Sequence, residues 1–429
     1  MDTGKKTIAI LGAGFGGLKC ALTIGRKLHN LNLADKYRVI LVDRNAYHTY
    51  TPTLYEAATT SKETASYLEL KNIITFPITE LIKNLPVDFI NDKVTKLNLL
   101  GGSLTLADDP ELQFDYLVLA LGAETNYFNI PGLTENSSSF KTFMDAIKLR
   151  DKILNLYLGG KKDLKIVVGG AGSTGVELAG ELQEWLCELE ANFKKDCRFR
   201  VSIIGAQPEV LSGFLPRISE LAEKRLRHLG VSVVAPAKIA SATANNVILE
   251  GGRELPYDIL IWTGGVKASS FLGTLPLKLD GGRIVVPGEM ECLPETPNLQ
   301  LFGKVYGIGD AVCFYNQETK KAMPMVARTA ILQAKIVAHN IIEEIKLENK
   351  IIKVAKKKVF APREYPYIIP VGGKYAIAKI GNFVFSGLPA WIFKGLVELN
   401  YLLSILPFSR AIKVWLRGLV IFIKNDRLG

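Results

Sequence analysis

The sequence has little cysteine, and no two cysteines stand at the spacing of a redox or zinc motif. Five cysteines are spread over the 429 residues: Cys20, Cys187, Cys197, Cys292 and Cys313. An odd, scattered set of this kind predicts reduced thiols and a cytoplasmic setting. A signal peptide is also not expected, because the N-terminus runs within a few residues into the apolar stretch TIAILGAG.

A long uncharged apolar run is lacking as well. The most apolar stretch, 387–429, is interrupted by charged side chains, so it predicts no transmembrane span. The net charge is +11, which nucleic acid, an anionic membrane or an anionic cofactor could each use. Much of the positive charge lies in this tail and in surface runs such as KKVFAPR, and we therefore expect no nucleic-acid partner.

The chain does contain one arrangement of strands and glycines twice. The first copy consists of TIAILGAGFGG (7–17), YRVILVD (37–43) and FDYLVLALG (114–122). The second copy consists of DLKIVVGGAGSTGVELAGEL (163–182), RVSIIG (200–205) and YDILIWTGG (257–265). Each copy reads as strand, glycine-rich turn, helix and further strands. The duplication predicts an α/β protein with two Rossmann-like dinucleotide-binding domains.

The first glycine motif has the features of a dinucleotide site. Gly12, Gly14 and Gly17 form GxGxxG directly after a strand, which permits a tight turn, close approach of a pyrophosphate and close helix packing. Asp43 ends the next strand and can accept hydrogen bonds from a ribose diol. Gly309 and Asp310 end a later strand, where a carboxylate can bind the ribityl chain of a flavin.

The second glycine motif predicts a nicotinamide dinucleotide site. Gly170, Gly172 and Gly175 repeat GxGxxG, and a flavin with a second dinucleotide implies hydride transfer. Glu177 either touches the nicotinamide side of the ligand or favours the helix dipole. Gly205 stands where an acidic residue would hold the adenosine ribose. The choice between NADH and NADPH therefore stays open.

The order of these motifs resembles the two-dinucleotide-binding-domain flavoproteins, and within them the type II NADH dehydrogenases. The resemblance runs from about residue 7 to the C-terminus and rests on AYHTYTPTLYEAA (46–58), GGAGSTGVELAGEL (169–182) and WTGGV (262–266). It implies noncovalent FAD on the first domain, NADH on the second, and electron delivery to a membrane quinone in a respiratory chain without proton pumping. It also places Glu177 at the position of the family's mechanistic glutamate, as the candidate catalytic residue.

The resemblance divides the chain into four regions and supplies candidate binding residues. We expect FAD-binding parts at 1–125 and 286–385, an NAD(P)H-binding domain at 148–285, and an amphipathic membrane-attachment region at 386–429. The candidate cofactor-binding residues are Gly12, Gly14, Phe15, Gly16, Gly17, Asp43, Arg44, Val94, Gly122, Gly309, Asp310 and Ala327 for FAD, and Gly170, Gly172, Ser173, Gly175 and Gly264 for NADH. No metal ligands are expected.

The stretch PMVARTAILQ (324–333) departs from the family. A helix is expected from about Met325, with its N-terminal amides toward the flavin. The family reads AQxAxQ there, with both glutamines lining the quinone site. Here these two positions are Arg328 and Leu332, and Gln333 comes one residue late. Either Arg328 faces the quinone and hydrogen-bonds a carbonyl of it, or the quinone site is degraded and Arg328 pairs with a structural carboxylate.

The C-terminal tail predicts an amphipathic helix. On a helix, Arg410, Lys413, Arg417 and Lys424 fall within an arc of roughly 60°, beside a broad apolar face with Trp415. This pattern favours a helix that lies among lipid headgroups on the cytoplasmic face of the cell membrane. The alternative is a helix docked on its own domain or at a dimer interface. The resemblance implies a homodimer. A dimer interface and membrane attachment in this region are compatible with each other.

Three other functions stay open from the sequence. One is a peripheral NAD(P)H oxidoreductase with a non-quinone acceptor. Another is a protein similar to sulfide:quinone reductases, although Cys313 has no evident cysteine partner near Asp310. The third is a non-catalytic flavoprotein that senses redox state. Disulfide reductases of the superfamily carry a cysteine pair after the first Rossmann unit, and residues 44–60 contain no cysteine.

Overall fold

The computed structural model describes residues 4–161, 163–191, 197, 199–362 and 366–425. Only the backbone is described at 190 and 191, and the last four residues of the predicted membrane-attachment region lie outside the described part. The strands are β1 Lys6–Leu11, β2 Tyr37–Val42, β3 Tyr47–Thr49, β4 Thr75–Pro77, β5 Val87–Ile90, β6 Val94–Asn98, β7 Ser103–Leu106, β8 Leu112–Gln113, β9 Tyr116–Leu119, β10 Ala123–Thr125, β11 Ser138–Ser139, β12 Lys165–Gly169, β13 Arg200–Ile204, β14 Ser232–Val234, β15 Ile239–Ala242, β16 Asn246–Leu249, β17 Glu254–Pro256, β18 Ile259–Trp262, β19 Val266–Ala268, β20 Leu279–Asp280, β21 Arg283–Val285, β22 Lys304–Gly307, β23 Val312–Cys313, β24 Tyr367–Pro370, β25 Ala376–Ile380 and β26 Phe383–Gly387.

The helices are α1 Phe15–Asn30, α2 Leu54–Thr59, α3 Tyr67–Ile74, α4 Ile78–Leu81, α5 Leu133–Asn136, α6 Phe143–Leu158, α7 Ser173–Ala191, α8 Pro216–Leu229, α9 Ala327–Glu348, α10 Leu388–Ile405 and α11 Phe408–Asn425. Short 3₁₀ helices cover Thr51–Thr53, Ser270–Thr274 and Gly309–Ala311.

The described residues fall into two units. The first takes its residues from Met1–His48, Phe76–Glu124 and Val266–Arg363. Its main sheet has five parallel strands in the order β22-β9-β1-β2-β5. The central strand β1 is a continuous apolar run whose residues from Ile8 to Leu11 are fully buried. Such a run is typical of a parallel strand that is covered on both faces, here with α1 following it directly.

The second unit takes its residues from Thr49–Thr75, Thr125–Gly265 and Glu364–Gly429. Its main sheet also has five parallel strands, in the order β11-β18-β12-β13-β14. The helices α2, α3, α6, α7 and α8 contribute to one hydrophobic core, and Ile421 and Phe422 of the C-terminal helix α11 belong to that core too. The C-terminal segment thus packs within this unit.

The two sheets repeat one another down to single hydrogen bonds. In the first, the backbone N–H of Thr7 donates to the Asp115 carboxylate at 2.8 Å, and Asp115 N–H donates to Thr7 O at 2.9 Å. In the second, the backbone N–H of Lys165 donates to the Asp258 carboxylate at 2.8 Å, and Asp258 N–H donates to Lys165 O at 2.9 Å. The aspartates of FDYLVLALG and YDILIWTGG therefore make equivalent hydrogen bonds to the central strands of their sheets. The predicted α/β fold with two Rossmann-like domains is confirmed.

The expectation of five reduced thiols is wrong for one pair. Cys187 and Cys197 form a disulfide, with their Cα atoms 5.0 Å apart. Cys187 lies near the end of α7 and Cys197 shortly before β13. Their spacing of ten residues matches no short motif, which is why the sequence did not reveal the bond. Cys20, Cys292 and Cys313 are free and buried.

Candidate dinucleotide and acceptor sites

The glycine loop of the first unit leaves an open anion site at the start of α1. A Cβ atom on Gly17 would overlap the carbonyl oxygen of Gly12, so close packing of helix and turn requires glycine there. Gly14, at the N-cap of α1, is exposed, and a Cβ atom built on it would meet nothing within 4 Å. The N-terminal amides of α1 have no side-chain cap. The loop therefore has the room and the donors that a pyrophosphate needs.

Ala13, in the middle of this loop, is held from two sides. The Asp43 carboxylate accepts a hydrogen bond from the Ala13 N–H at 2.6 Å, and its other oxygen accepts from Asn45 N–H at 2.8 Å. On the other side, Nδ1 of His48 lies 3.0 Å from the Ala13 carbonyl oxygen. Asp43 thus stands at the predicted end of β2, beside the loop, where it can also meet a ribose.

His48 is a site residue that sequence reasoning missed. Its side chain is buried, and its ring packs edge-on against Phe15 with 5.1 Å between ring centroids. Burial lowers its pKa to about 4, against smaller raising effects of the Ala13 carbonyl and Asp43. The imidazole is therefore neutral, and Nδ1–H donates to Ala13. In the sequence, the feature that could have indicated His48 is its place in the AYHTYTP motif, where it is the second residue of β3.

The remaining first-unit candidates have varied surroundings. Gly16 is buried, and a Cβ atom on it would lie 3.2 Å from Ile308 and 3.4 Å from Ala330. Val94 and Gly122 are half-buried, and Arg44 is exposed. The surroundings of these last three residues do not decide whether they bind a cofactor, so their roles stay predictions.

Gly309 and the first turns of α9 lie side by side. The backbone N–H of Gly309 donates to Oε1 of the buried Gln333 at 2.8 Å. A Cβ atom on Gly309 would lie 3.2 Å from Ala330 Cβ. Asp310, which follows, is half-buried in the short 3₁₀ helix. This arrangement places the Gly-Asp turn beside the N-terminal part of α9.

The first turn of α9 contains a buried hydroxyl that lacks a protein partner. The helix begins at Ala327, two residues later than predicted. The Thr329 side chain is buried, and its Oγ1 has no hydrogen-bond partner among the described residues. A buried polar atom without a partner is costly, and a bound group that hydrogen-bonds it removes the cost. The start of α9 therefore fits a polar cofactor edge.

Arg328 and Leu332 lie on the more open side of the same helix. Arg328 is exposed and Leu332, one turn later, is half-buried. Gln333 does not replace the family's second glutamine, because it is buried and its amide oxygen is engaged by Gly309. Whether Arg328 and Leu332 meet a quinone stays a prediction.

The glycine loop of the second unit repeats the first. A Cβ atom on Gly175 would overlap the carbonyl oxygen of Gly170, whereas one on the exposed Gly172 would meet nothing within 4 Å. Thr263 Oγ1 lies 3.1 Å from the carbonyl oxygens of both Gly169 and Gly170 and donates to them. The loop is thereby tied to the strand end that leads to Gly264. Ser173, half-buried, is the first residue of α7.

Gly205 takes the place that Asp43 has in the first unit. Gly12 N–H donates to Val42 O at 2.8 Å and Gly170 N–H donates to Ile204 O at 2.8 Å, so the residues that follow, Asp43 and Gly205, are equivalent. A Cβ atom on Gly205 would lie 2.9 Å from Ala171 Cβ. The second site therefore offers no carboxylate at this position to a ribose.

Glu177 lies near charges that sequence reasoning did not single out. It is half-buried on α7, and loss of hydration raises its pKa to about 8, opposed by Lys394 and reinforced by Glu56. Glu56 is fully buried on α2 and forms an ion pair with Lys394 of α10. Glu398 is buried on α10. In the sequence, these residues could have been noticed as charged side chains inside strongly apolar segments, LYEAAT and WIFKGLVELN.

The C-terminal helices are docked on one side and apolar on the other. α10 buries Ala390, Trp391, Glu398, Tyr401, Leu402 and Ile405, and α11 buries Ala411, Gly418, Ile421, Phe422 and Asn425. Their exposed apolar residues are Leu388, Ile392, Leu396, Val397, Leu403, Phe408, Leu416, Val420 and Ile423. Lys413, Arg417 and Lys424 are exposed and Arg410 is half-buried. Among the described residues, no helix is long and apolar enough to cross a membrane.

Comparison with known proteins agrees with the predicted resemblance. Residues 6–334 match the family described as Pyridine nucleotide-disulphide oxidoreductase. The chain is 28% identical over 445 residues to the Type II NADH:quinone oxidoreductase Ndh of Mycobacterium tuberculosis, which covers 98% of this chain and 89% of that protein. It is 29% identical over 353 residues to the Type II NADH:quinone oxidoreductase of Staphylococcus haemolyticus, with 80% of this chain and 83% of that protein covered.

Among solved structures, the NDH2 from Plasmodium falciparum in complex with NADH has the same fold. The TM-score is 0.82 at 20% sequence identity, and the match covers 99% of this chain and 100% of that one. The sulfide:quinone oxidoreductase of Aquifex aeolicus gives a TM-score of 0.75 at 18% identity, with 94% and 92% covered. The predicted likeness to type II NADH dehydrogenases is confirmed by the curated relatives, and the solved structures show the fold.

Proposed function

Since the chain belongs to the pyridine nucleotide-disulphide oxidoreductase family, we propose that it is a membrane-associated NADH:quinone oxidoreductase. It passes a hydride from NADH to FAD and then two electrons to a quinone, without pumping protons. The observation that carries the proposal is the matched pair of glycine loops, each following the central strand of its own parallel sheet. The curated relatives that share most of the chain's length are named for the same reaction.

The residues of the first unit fit FAD. Gly12, Gly14 and Gly17 and the N-terminal amides of α1 hold the pyrophosphate, and Asp43 holds the ribose. Asp310 binds the ribityl chain, and the start of α9, with the unsatisfied Thr329 hydroxyl, receives the polar edge of the ring. FAD, when bound, supplies the two-electron acceptor for a hydride. The protein's part is to bind and orient it.

The residues of the second unit fit NADH. Gly170, Gly172 and Gly175 hold the pyrophosphate at the start of α7, and Glu177 in the second turn of that helix positions the nicotinamide. NADPH is also a substrate in this proposal, since no carboxylate at Gly205 opposes a 2′-phosphate. Arg328 and Leu332 face the quinone, where the guanidinium hydrogen-bonds a carbonyl oxygen.

Attachment to the membrane uses the exposed apolar residues of α10 and α11. Three of those on α10, Leu388, Ile392 and Leu396, recur every four residues and so form one stripe along the helix. On α11, Leu416, Val420 and Ile423 alternate with the exposed Lys413, Arg417 and Lys424. Apolar and cationic side chains together suit an interface with anionic lipid on the cytoplasmic face. We propose a homodimer in addition, as the resemblance implies, with its mass to be measured by sedimentation.

The activity is tested with purified, FAD-loaded protein. NADH or NADPH is added with a menaquinone or ubiquinone analogue, and nicotinamide oxidation is followed by absorbance under anaerobic conditions. We expect rapid bleaching of the flavin by NADH alone and reoxidation on adding quinone, faster than by oxygen. Bleaching without quinone-dependent reoxidation identifies another acceptor. Failure of NADH to bleach the flavin would leave a non-catalytic role.

A further inference from the structure

Three glutamates from three helices surround one ammonium group in the second unit. Glu56 of α2 makes an ion pair with Lys394 of α10, with 1% of the Glu56 side chain and 14% of the Lys394 side chain exposed. Glu398 follows Lys394 by one turn of α10 and is 8% exposed. Glu177 of α7 interacts electrostatically with both Lys394 and Glu56. We call these four residues the carboxylate cluster.

Aromatic rings and helix packing keep water away from the cluster. The Lys394 ammonium lies 5.2 Å from the centre of the Tyr55 ring and 5.7 Å from that of Phe422. A Cβ atom on Gly418 of α11 would lie 3.9 Å from Oε1 of Glu398, so this carboxyl group lies against α11. Charges held in such surroundings interact strongly and are poorly hydrated.

The cluster has more carboxyl groups than its cation can compensate. Lys394 is engaged by Glu56 at ion-pair distance, so its attraction for a second and third anion is already partly offset. Burial raises the pKa of Glu398, and Lys394 lowers it only in part. Burial likewise raises the pKa of Glu177, and the Glu56 charge raises it further. Three carboxyl groups that share one ammonium group in this way hold their protons to a higher pH than separate, hydrated carboxyl groups do.

Other titratable groups on the packed elements have engagements of their own. Tyr50 stacks on Tyr401 with 5.1 Å between ring centroids, and the charges of Glu398 and Glu56 act on it. On α6, Arg150 donates to Asp151 at 3.2 Å. On α7, Glu181 accepts from Gly373 N–H at 3.1 Å. On β25, Lys379 lies over the Tyr367 ring, and the α11 cations Lys413 and Arg417 are exposed.

We propose that Glu398 is a proton-holding residue for the acceptor half of the reaction, buried between Lys394 and α11, and that Glu56 sets its proton affinity through its ion pair with Lys394. The inference rests on the proposed function. α10 carries Glu398 on its buried face and the exposed Leu396 and Val397 beside it. In this proposal a lipophilic acceptor reaches Glu398 from that apolar face.

The proton balance of the reaction requires such a residue. In NADH + H⁺ + quinone → NAD⁺ + quinol, the hydride brings two electrons and one hydrogen. The second hydrogen comes as a proton, because the quinol carries two O–H groups. Glu398 gives up that proton and becomes a carboxylate beside Lys394. Water then returns a proton by way of the partly exposed Lys394 side chain.

Infrared spectroscopy of the FAD-loaded protein tests where the proton lies. A protonated carboxyl group has a carbonyl stretch that is separate from the carboxylate bands and shifts in heavy water. We expect Glu398→Gln to remove one such band at neutral pH and Glu177→Gln to remove another. Glu220→Gln, on the exposed face of α8, is the control and should remove neither. If Glu398→Gln leaves every band in place, Glu398 is ionised and the proposal fails.

Glu56→Gln gives a second test that does not change Glu398 itself. Without the Glu56 charge, Lys394 acts more strongly on Glu398 and Glu177, so both carboxyl bands should disappear at a lower pH than in the native protein. The midpoint of thermal unfolding adds a stability readout. Because the folded-state pKa is raised, Glu398 lowers stability as pH rises above the ordinary range of a carboxyl, and Glu398→Gln should flatten that decline. A midpoint that falls equally steeply in both proteins contradicts the proposal.

Stopped-flow kinetics separates this inference from the proposed function. Glu398→Gln should leave flavin reduction by NADH unchanged and slow quinone-dependent reoxidation by about a hundredfold, the lower range for a lost proton donor. If the native protein does not reduce quinones but Glu398→Gln still loses its band, the proton site stands and the function fails. If quinones are reduced and Glu398→Gln reoxidises at the native rate, the proton-holding role is wrong.

Discussion

Asp43 and Gly205 occupy the same position in the two parallel sheets, directly after β2 and β13, the strands that follow the two glycine-loop helices. In both sheets, the residue's N–H donates to the neighbouring strand, to Ile90 O at 3.1 Å from Asp43 and to Val234 O at 3.0 Å from Gly205. The first site has a carboxylate there and the second has none. We infer that the second site discriminates weakly between NADH and NADPH, because nothing at this position repels a 2′-phosphate.

Gly205→Asp should make the enzyme prefer NADH. A carboxylate at this position accepts a ribose hydroxyl and repels a 2′-phosphate, so the ratio of kcat/KM for NADH over NADPH should rise by about tenfold or more. Gly205→Ala adds the same Cβ atom without charge and should leave the ratio unchanged. Both variants should lose about 1–3 kcal/mol of stability, since the new Cβ atom crowds Ala171. An equal change for both cofactors would contradict the assignment.

Loss of the His48 side chain should release FAD. His48→Leu removes the donor to the Ala13 carbonyl and leaves a buried acceptor unsatisfied, which costs about 1–3 kcal/mol. The Kd for FAD, measured by flavin fluorescence, should rise by about five- to a hundredfold. His48→Asn, which keeps a donor of similar reach, should show a smaller rise. Equal retention of FAD in all three proteins would show that the loop holds its shape without His48.

The same residue should set an acid limit of stability. The pKa of His48 falls from 6.5 to about 4 on folding. Because the pKa of His48 is lowered in the folded state, its contribution to stability is complete above pH 6.5 and is lost as the pH falls toward about 4. The shift corresponds to about 3 kcal/mol. Thermal unfolding of His48→Asn should therefore depend less on pH in this window than that of the native protein, and an unchanged acid limb would contradict the burial of a neutral ring.

Local patterns predicted the repeated parts of the molecule well. The apolar run before each glycine motif predicts the central strand, because both faces of a parallel sheet are covered. The similarity of FDYLVLALG and YDILIWTGG predicted equivalent strands, and Asp115 and Asp258 show that the likeness extends to hydrogen bonding. The strands could be predicted from the sequence because each apolar run is continuous in the chain, whereas the partners of Asp115 and Asp258 are 108 and 93 residues away.

Long-range pairings escaped the same reasoning. Glu56 and Lys394 are 338 residues apart, and their charges had no visible reason to meet. In the tail, Lys394 and Glu398 counted only as interruptions of an apolar run, whereas the fold buries Glu398. The contact of His48 with Ala13, 35 residues apart, was missed for the same reason, because periodicity does not specify how separate elements dock. The Cys187–Cys197 bond was missed because its spacing of ten residues matches no short motif.

Arg328→Gln tests which acceptor meets the start of α9. If the guanidinium hydrogen-bonds a quinone carbonyl, the substitution should raise the quinone KM by about three- to tenfold, a moderate effect because Arg328 is exposed. The rate of flavin reduction by NADH should not change. Arg328→Lys keeps the charge but loses the planar guanidinium group, so its quinone KM should lie between those of the native protein and Arg328→Gln. An unaltered KM and kcat in Arg328→Gln would show that Arg328 does not contact the quinone.

Charge reversal on α11 should weaken attachment to anionic membranes. Lys413 and Arg417 are exposed beside Leu416 and Val420, so they are placed to meet lipid phosphates when the apolar residues enter the interface. Each cation near such a surface contributes ~1 kcal/mol. Lys413→Glu with Arg417→Glu should therefore lower partitioning onto vesicles that contain an anionic lipid by at least about tenfold, measured by co-sedimentation.

The matched control for this pair is Lys224→Glu with Lys238→Glu, two exposed lysines elsewhere in the second unit. It changes the net charge equally and should lower binding much less, because Lys224 lies on α8 and Lys238 just before β15, and neither belongs to α10 or α11. Vesicles of neutral lipid should bind all three proteins alike. Equal losses in both double variants would mean that net charge alone drives the attraction. No loss in either would mean that the exposed face of α11 meets another protein surface, such as a second copy of this chain.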